Sequence, residues 1–333
     1  MRPNADQIRA TESVVRWYLH AHYGQPGDSG VVDMFCDPAR VGAFAVDREA
    51  LALGEPRALF RLLVTTAMFQ RRQDVQIMRI LRGIGKRDAT ELSDARRLLK
   101  LVDANGCDEL KTTERLQGTC DLMKVDGVGT CGRNADVDCH MKRHTVLLKR
   151  YGHFGKVPTS IALMVRESGA RDLVALRRAT LDAETDPLAR ARALEAALSR
   201  AWRVNQKIAS MYLSLVANPD MSPGAAPWAD GVDWTYFVVV DSNVDLFLAS
   251  IGYSGGKSYD ARREFVRALA TRIDLRSLDS RLHAYNPRLV QQALYLFMSA
   301  ANRRAALNDC MHAASACVSC PRPLLRRCPV RRR

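Results

Sequence analysis

The chain has 333 residues, 47% of them apolar, and a formal net charge of +14. This length and apolar fraction predict a globular protein with one large domain or two ordinary ones. No run of about eighteen apolar residues occurs, so we expect no membrane partner, and the excess of positive charge favours a polyanionic partner such as nucleic acid.

The N-terminal stretch predicts a helix from Ala5 to Tyr23, since apolar residues recur there at helical spacing. The first ten residues are polar and lack an apolar signal core, so we expect a cytoplasmic protein. In that compartment the nine cysteines are expected as thiols or metal ligands rather than disulfides.

A second helical pattern runs from about Arg57 to Leu81 and is interrupted near Gln73; Gly83 and Gly85 end it. The following segment, 86–144, contains cysteines and histidines at spacings that permit a zinc site. Its candidate ligands are Cys131, Cys139 and His144, with Cys120 or His140 as a fourth. Packing cysteines and surface histidines explain the same residues equally simply.

The second half is also helical in pattern, with a turn near Asp186 and a helix beginning near Asn205. A loop rich in Pro, Gly and Trp follows at 218–234. An apolar run then leads to Asp241, which directly precedes a predicted helix and can cap its N-terminus. Further helices are predicted at 259–273 and, as one long helix, at 288–307. The whole pattern predicts a mostly α fold.

Four cysteines close the chain with the spacing C-x6-C-x2-C-x7-C: Cys310, Cys317, Cys320 and Cys328. So many thiols in a short segment favour a metal site over disulfides. Zinc is one alternative, because C-x2-C is its usual half-site. A zinc ribbon normally carries two such pairs, however, and only one is present here.

This cysteine pattern, directly after a predicted helix, resembles the [4Fe-4S] loop of the endonuclease III and adenine-glycosylase branch of the helix-hairpin-helix DNA glycosylases. The last gap is two residues longer than the usual one. The segment from Phe60 to Gln70 resembles the first core helix of that family. Lys207 matches its lysine in the second hairpin helix, and Asp241 matches its aspartate in a V-D-x-x-V turn. The longer gap between the two is more similar to the archaeal 8-oxoguanine glycosylase subgroup.

The resemblance implies a two-lobed helical glycosylase fold. Its core domain would be residues 54–240, with 86–144 as an insertion, and its iron–sulfur domain would be residues 1–53 plus 241–333. The implied cofactor is a [4Fe-4S] cluster on Cys310, Cys317, Cys320 and Cys328. The implied catalytic residues are Lys207 and Asp241, and the implied DNA or base contacts are Gln70, Arg203, Asn205 and Gln206.

The hairpin departs from the family pattern L-P-G-V-G, because residues 201–205 are Ala, Trp, Arg, Val and Asn. The glycines of that pattern permit a positive φ close to a DNA phosphate. Asn205 tolerates such a conformation, whereas Arg203 does so poorly. We therefore expect a rebuilt hairpin in which the Arg203 side chain supplies the phosphate contact.

The implied function is that of a DNA glycosylase with AP-lyase activity, which acts as a monomer on duplex DNA containing a damaged, mismatched or modified base. Such an enzyme flips the base out of the helix. A neutral lysine attacks the sugar C1′, and a carboxylate stabilises the positive charge that develops on the sugar. The alternatives to these catalytic roles are structural: Lys207 would be a solvated lysine on a helix, and Asp241 would serve only as a helix cap.

Several alternatives stay open at this level. One alternative is a monofunctional glycosylase, in which water replaces Lys207 as the nucleophile. Another is a protein of the same fold that binds DNA without cleaving it. In that protein, Lys207 and Asp241 would not face the same cleft. A zinc-stabilised nuclease or regulator is a third alternative. In a second frame for the hairpin and its catalytic aspartate, the glycines are Gly127 and Gly129 and the aspartate is Asp138.

Overall fold

The protein is described here by a computed structural model that covers residues 2–24, 30–70, 72–125, 128–144 and 155–331. The fold is mostly helical, as predicted, with one two-stranded hairpin. Within the described ranges, no helix combines the length and the apolar character needed to cross a membrane.

Helices in the first half of the chain are α1 (Ala5–Ala21), α2 (Asp33–Cys36), α3 (Pro38–Val41), α4 (Arg48–Ala52), α5 (Pro56–Met68), α6 (Asp74–Arg82), α7 (Lys86–Leu92), α8 (Ala95–Asp103), α9 (Thr113–Gly118), α10 (His140–Arg143) and α11 (Lys156–Glu167). The second half contains α12 (Leu173–Ala183), α13 (Pro187–Leu198), α14 (Gln206–Ala217), α15 (Ser242–Ser250), α16 (Tyr259–Ala270), α17 (Pro287–Met298), α18 (Ala300–Ala305) and α19 (Arg322–Leu325). The strands are β1 (Met123–Val125) and β2 (Val128–Thr130).

The first hydrophobic core forms around α5 and α14, which pack against each other. Helix α5 begins with Pro56 at its first turn, where the missing N–H costs nothing, and most of its side chains are buried. This core also takes in Phe35, Phe44 and Leu51, which are fully buried. The sequence-based division assigned residues 1–53 to the other lobe; the packing places residues 32–51 with the first core.

The second core joins the N-terminal helix to the C-terminal part of the chain, through α1, α15, α16 and α17. Asn4 and Gln7 form a reciprocal capping box that starts α1. The long helix predicted over 288–307 is two helices, because the backbone of Ser299 (φ −86°, ψ 82°) leaves the helical region between α17 and α18.

A third, small core lies within the predicted insertion and includes Leu110, Leu116 and Leu122. Beside it the antiparallel strands β1 and β2 pair, so Gly129 lies in a strand opposite Lys124 rather than in a turn between helices. Gly127 lies outside the described residues. Asp138, the aspartate of the second frame, has a side chain that is 92% exposed. This arrangement does not support the second frame.

Candidate functional site

A large cavity, of about 1080 Å³, lies between the first and second cores. Its walls come from α6 and α14 on one side and from α1, α15, α17 and α18 on the other. A cavity of this size accommodates a ligand considerably larger than a single nucleobase. Both predicted catalytic side chains, Lys207 and Asp241, line it.

Lys207 occupies the first turn of α14, the helix that the first core buries on its other face. Asn205 caps this helix, since its side-chain oxygen accepts a hydrogen bond from the backbone N–H of Ile208 at 3.2 Å. Among the described residues, Lys207 makes no side-chain hydrogen bond or close ion pair. Lys207 thus lines the cavity without a hydrogen bond or ion pair that fixes its side chain to a neighbouring helix.

Asp241 starts α15 on the opposite wall, and its Oδ1 accepts hydrogen bonds from the N–H groups of Asn243 (3.1 Å) and Val244 (2.9 Å). Burial raises the pKa of the Asp241 carboxyl, while these N–H groups and Lys207 oppose that increase. Lys207 is thus within electrostatic reach of Asp241, and both side chains line the same cavity. Capping uses one carboxylate oxygen and leaves Oδ2 for another partner.

Arg288 is a cavity residue that the sequence analysis did not identify, and it is only 3% exposed. Its guanidinium donates to Ser214 Oγ (3.0 Å) and to the amide oxygens of Gln291 (2.6 Å) and Gln292 (2.8 Å). Burial lowers the pKa of Arg288 to about 10. Within the described chain this cation has no carboxylate in ion-pair contact, an unusual state for a buried guanidinium, and neutral oxygen atoms accept its hydrogen bonds instead.

A carboxylate lines the cavity on the side of α6. Oδ2 of Asp74 accepts hydrogen bonds from the hydroxyl of Tyr295 at 2.7 Å and from the amide of Asn302 at 2.8 Å. Because these contacts join α6 to α17 and α18, they tie the two cores together across the cavity.

Gln70 and Arg203 meet where α5 ends beside the loop that leads into α14. The Gln70 amide donates to the carbonyl of Arg203 at 3.0 Å, and Gln70 is not part of the cavity wall. Arg203, rather than Asn205, has the positive φ, at 64°, whereas Asn205 is extended with φ −84°. Arg203 thus keeps, at an energetic cost, the backbone conformation that a glycine adopts freely. The contacts of both residues with DNA stay predictions.

A matched pair of variants separates this backbone conformation from the side chain. Arg203→Gly and Arg203→Ala both remove the guanidinium, which lies 5.0 Å from the Trp202 ring. Only glycine tolerates the positive φ, so Arg203→Gly is expected to exceed Arg203→Ala in free energy of unfolding by about 1 kcal/mol. Urea titrations measure this difference. Equal stability of the two variants would contradict the assigned conformation.

Gln206 is held in a buried polar network at the start of α14. Its side-chain amide donates to Glu195 Oε2 (3.1 Å) and to Asp260 Oδ1 (2.9 Å). Glu195, itself buried, also accepts from Arg263 at 2.8 Å and from the Tyr236 hydroxyl at 3.1 Å. The network joins α13, α14 and α16 and positions the turn that carries Lys207. A contact of Gln206 with DNA would have to compete with these hydrogen bonds.

The four C-terminal cysteines gather beside the second core. Burial raises the pKa of the Cys320 thiol, and Cys310, Cys328 and Cys317 raise it further, in that order. The three other thiols are therefore within electrostatic reach of Cys320.

Arg303 lies beneath these thiols and is completely buried. It donates to the Sγ atoms of Cys310 (3.1 Å) and Cys328 (3.5 Å), and its Nε–H donates to Asp309 Oδ2 at 2.9 Å. Trp17 of α1 packs against the same guanidinium, 4.9 Å from the ring centre. A fixed cation that donates hydrogen bonds to sulfur suits thiolate ligands.

The two histidines named as possible zinc ligands, His140 and His144, form hydrogen bonds with other side chains. His144 Nε2 pairs with Glu91 at 2.8 Å, and His140 Nε2 contacts the hydroxyl of Thr159 at 2.9 Å in a buried position. His144 thus contacts α7 and His140 contacts α11, and neither histidine lines the small cavity that Cys131 and Cys139 share. Across the described ranges, no three or more His, Cys, Asp or Glu side chains already stand in an arrangement that could hold a metal ion.

Comparison with known proteins gives no match to a family model, to a curated protein or to a solved structure. We therefore infer function from the chemistry of the cavity and of the cysteine groups.

Proposed function

We propose that the protein is a DNA glycosylase with AP-lyase activity, which excises a damaged or modified base from duplex DNA. The observation that carries the proposal is that Lys207 and Asp241 line one cavity between two helical cores. Each belongs to a different core and to the first turn or cap of a helix. Such a placement would let the two side chains act on one substrate atom from two sides.

In the proposed reaction the Lys207 amine attacks C1′ of an extruded nucleotide. The bond between C1′ and the base breaks, and the base leaves with the electron pair and takes up a proton. The carboxylate of Asp241 stabilises the positive charge that develops on the sugar. The covalent bond between the lysine and C1′ then permits cleavage of the strand.

The same cavity offers hydrogen-bond donors for the extruded base. Arg288 holds the amide oxygens of Gln291 and Gln292, and this leaves their NH₂ groups as donors, with the amide orientation assigned from these contacts. Donors suit the carbonyl oxygens of a base. We therefore assign base binding to Arg288, Gln291 and Gln292, with Asp74 able to accept from an N–H group.

Arginines near the cavity provide the contacts that DNA binding requires. Arg40, Arg72 and Arg82 line the cavity, and Arg72 makes no ion pair with a carboxylate in the described part of the chain. Arg203 lies outside the cavity lining, with its guanidinium against Trp202, and we propose that it contacts a duplex phosphate in addition to the cavity arginines. Binding of this kind weakens steeply as salt increases.

A [4Fe-4S] cluster on the C-terminal thiols is part of the proposal, and it is supported by the hydrogen bonds that Arg303 donates to two of the sulfurs and by the electrostatic influence of the other three thiols on Cys320. Cys310, Cys317, Cys320 and Cys328 would hold the group. When bound, it would crosslink residues 310–328 to the second core and stabilise that part of the fold. Arg303 and Asp309 orient this segment through their own ion pair, at 2.9 Å.

A panel of duplexes, each with one lesion or mismatch, tests the proposed function. The purified protein is expected to release one class of base and to cleave the strand at that site. Base release without strand cleavage would indicate water as the nucleophile. Tight DNA binding without release from any duplex would favour the non-catalytic alternative.

A further inference from the structure

The insertion contains a second group of four cysteines, which the proposed function does not use. Cys107, Cys120 and Cys139 belong to or pack against the third core, and Cys131 follows β2. These residues come from four separate segments between α8 and α10. The fold, rather than a short sequence motif, brings them together.

The four cysteines line one small cavity of about 20 Å³. This volume is little more than one water molecule needs, so it suits a single ion and is far too small for a multi-iron cluster. The remaining wall residues include Glu109, Asp121 and Lys142.

The thiols also influence one another. Burial raises the pKa of the Cys120 thiol, and Cys107 and Cys131 raise it further. Burial likewise raises the pKa of Cys139, with further contributions from Cys107 and Cys120. Each of the four thiols is therefore within electrostatic reach of at least two others.

Backbone N–H groups are directed at three of the sulfurs. Cys107 accepts from the N–H of Glu109, Cys120 from that of Leu122, and Cys139 from that of Met141. One donor lies two residues after each cysteine, and Cys107 and Cys139 have a second donor three residues after, at Leu110 and Lys142. Such N–H donors stabilise a thiolate, which is the form that binds a metal.

The loop between the last two cysteines is held in place from one side. The Lys142 ammonium donates to the backbone carbonyls of Asn134 (3.0 Å), Ala135 (2.8 Å) and Val137 (2.7 Å). Gly129 lies so close to Lys142 that an added Cβ would stand 2.4 Å from its carbonyl oxygen. These contacts fix the separation between Cys131 and Cys139.

We propose that Cys107, Cys120, Cys131 and Cys139 bind one structural zinc ion through four thiolates. Four sulfurs from a small, closed site match the tetrahedral coordination of structural zinc. As placed, the side chains do not yet form a finished metal site. In particular, Cys131 Sγ is 3.2 Å from the carbonyl of Asn134, so it rotates inward on binding.

Zinc in this lobe would support the loop that carries Arg203. Lys156 donates to the Cys120 carbonyl at 3.0 Å and lies 4.9 Å from the Trp202 ring, on which the Arg203 guanidinium also rests. Gln117 donates to the Arg200 carbonyl at 2.8 Å. The zinc site is thus a positioning element for residues 200–203, although zinc binding itself does not depend on the proposed function.

Metal analysis of the full-length protein tests the proposal, with zinc and iron measured by mass spectrometry. We expect about one zinc per chain, and loss of that zinc in Cys107→Ser and Cys131→Ser. Cys36→Ser changes a cysteine outside both groups and is expected to keep zinc. Cys317→Ser is expected to lower the iron content and keep the zinc. The zinc site and the iron–sulfur cluster can therefore be tested separately.

Thiol labelling covers the case in which a variant does not fold. In the wild-type protein, Cys107, Cys120, Cys131 and Cys139 are expected to resist alkylation together and to become reactive together when a zinc chelator is added. Zinc retained in both serine variants, iron at this site, or four thiols that react equally with and without chelator would each overturn the proposal.

Discussion

Asp241→Asn is expected to slow base release by a factor of about 10²–10³, with DNA binding largely unchanged. The substitution removes the negative charge that stabilises the developing cation at the sugar. Asparagine caps helices about as well as aspartate does. Helix α15 therefore keeps its start, and the loss reports chemistry rather than folding. Single-turnover rates on the cleaved duplex measure it.

Asp172→Asn is the matched control, since Asp172 caps α12 through the N–H of Ala175 at 2.8 Å and does not line the cavity. Its rate is expected to equal that of the wild type. An unchanged rate in Asp241→Asn would remove Asp241 from the chemistry.

The pH dependence of the reaction reports the same carboxylate. Because burial raises the pKa of Asp241 above its ordinary value of 3.8, its charge is lost at a higher pH than that of an exposed aspartate. The rate is expected to fall as the pH decreases through that raised pKa. In Asp241→Asn, this loss of rate at acidic pH is expected to disappear. If the rate of the variant still falls over the same pH range, a group other than Asp241 causes the loss.

Glu195→Ala is expected to cost about 3–5 kcal/mol of the free energy of unfolding, because it leaves the buried cation of Arg263 without its main partner. The two side chains are 7% and 2% exposed and approach to 2.8 Å. Ser210 and Tyr236 also lose their acceptor. Since this network positions α14, the residual enzyme is also expected to react more slowly. Chemical denaturation measures the stability.

Glu264→Ala serves as the control on the same side of the molecule. Glu264 pairs with Arg267 at 3.2 Å, but its side chain is 58% exposed, so the expected loss is within about 1 kcal/mol. A double variant, Glu195→Leu with Arg263→Leu, is expected to recover much of the lost stability. If Glu195→Ala and Glu264→Ala lose the same free energy of unfolding, the buried ion pair stabilises the fold no more than the exposed one does.

The sequence was most informative where local chemistry determines the structure. Asn205 and Asp241 cap helices because short polar side chains accept from N–H groups at helix starts. The sequence predicted the cap at Asp241 and a helix beginning near Asn205. The mostly helical fold followed from apolar spacing. The split between α17 and α18 was missed, because apolar spacing continues through Ser299 and only its backbone angles reveal the break.

Residues brought together by tertiary packing could not be found in this way. Arg288 looks like an ordinary helix arginine in the sequence, and its burial without a close carboxylate is visible only once α17 is packed. The sequence analysis grouped Cys131 and Cys139 with His144 and did not include Cys107, because no short metal-binding motif joins Cys107 to the other cysteines. The positive φ of Arg203 likewise contradicts local preference and depends on the surrounding fold.

The most direct test of the central claim is reductive trapping on a cleaved duplex, with the crosslinked residue identified by peptide mass spectrometry. Borohydride added during the reaction reduces the imine between lysine and sugar, so the protein becomes permanently attached to DNA. We predict one adduct, at Lys207, that Lys207→Ala abolishes. An adduct at another lysine, or trapping that persists in Lys207→Ala, would contradict the assignment of the nucleophile.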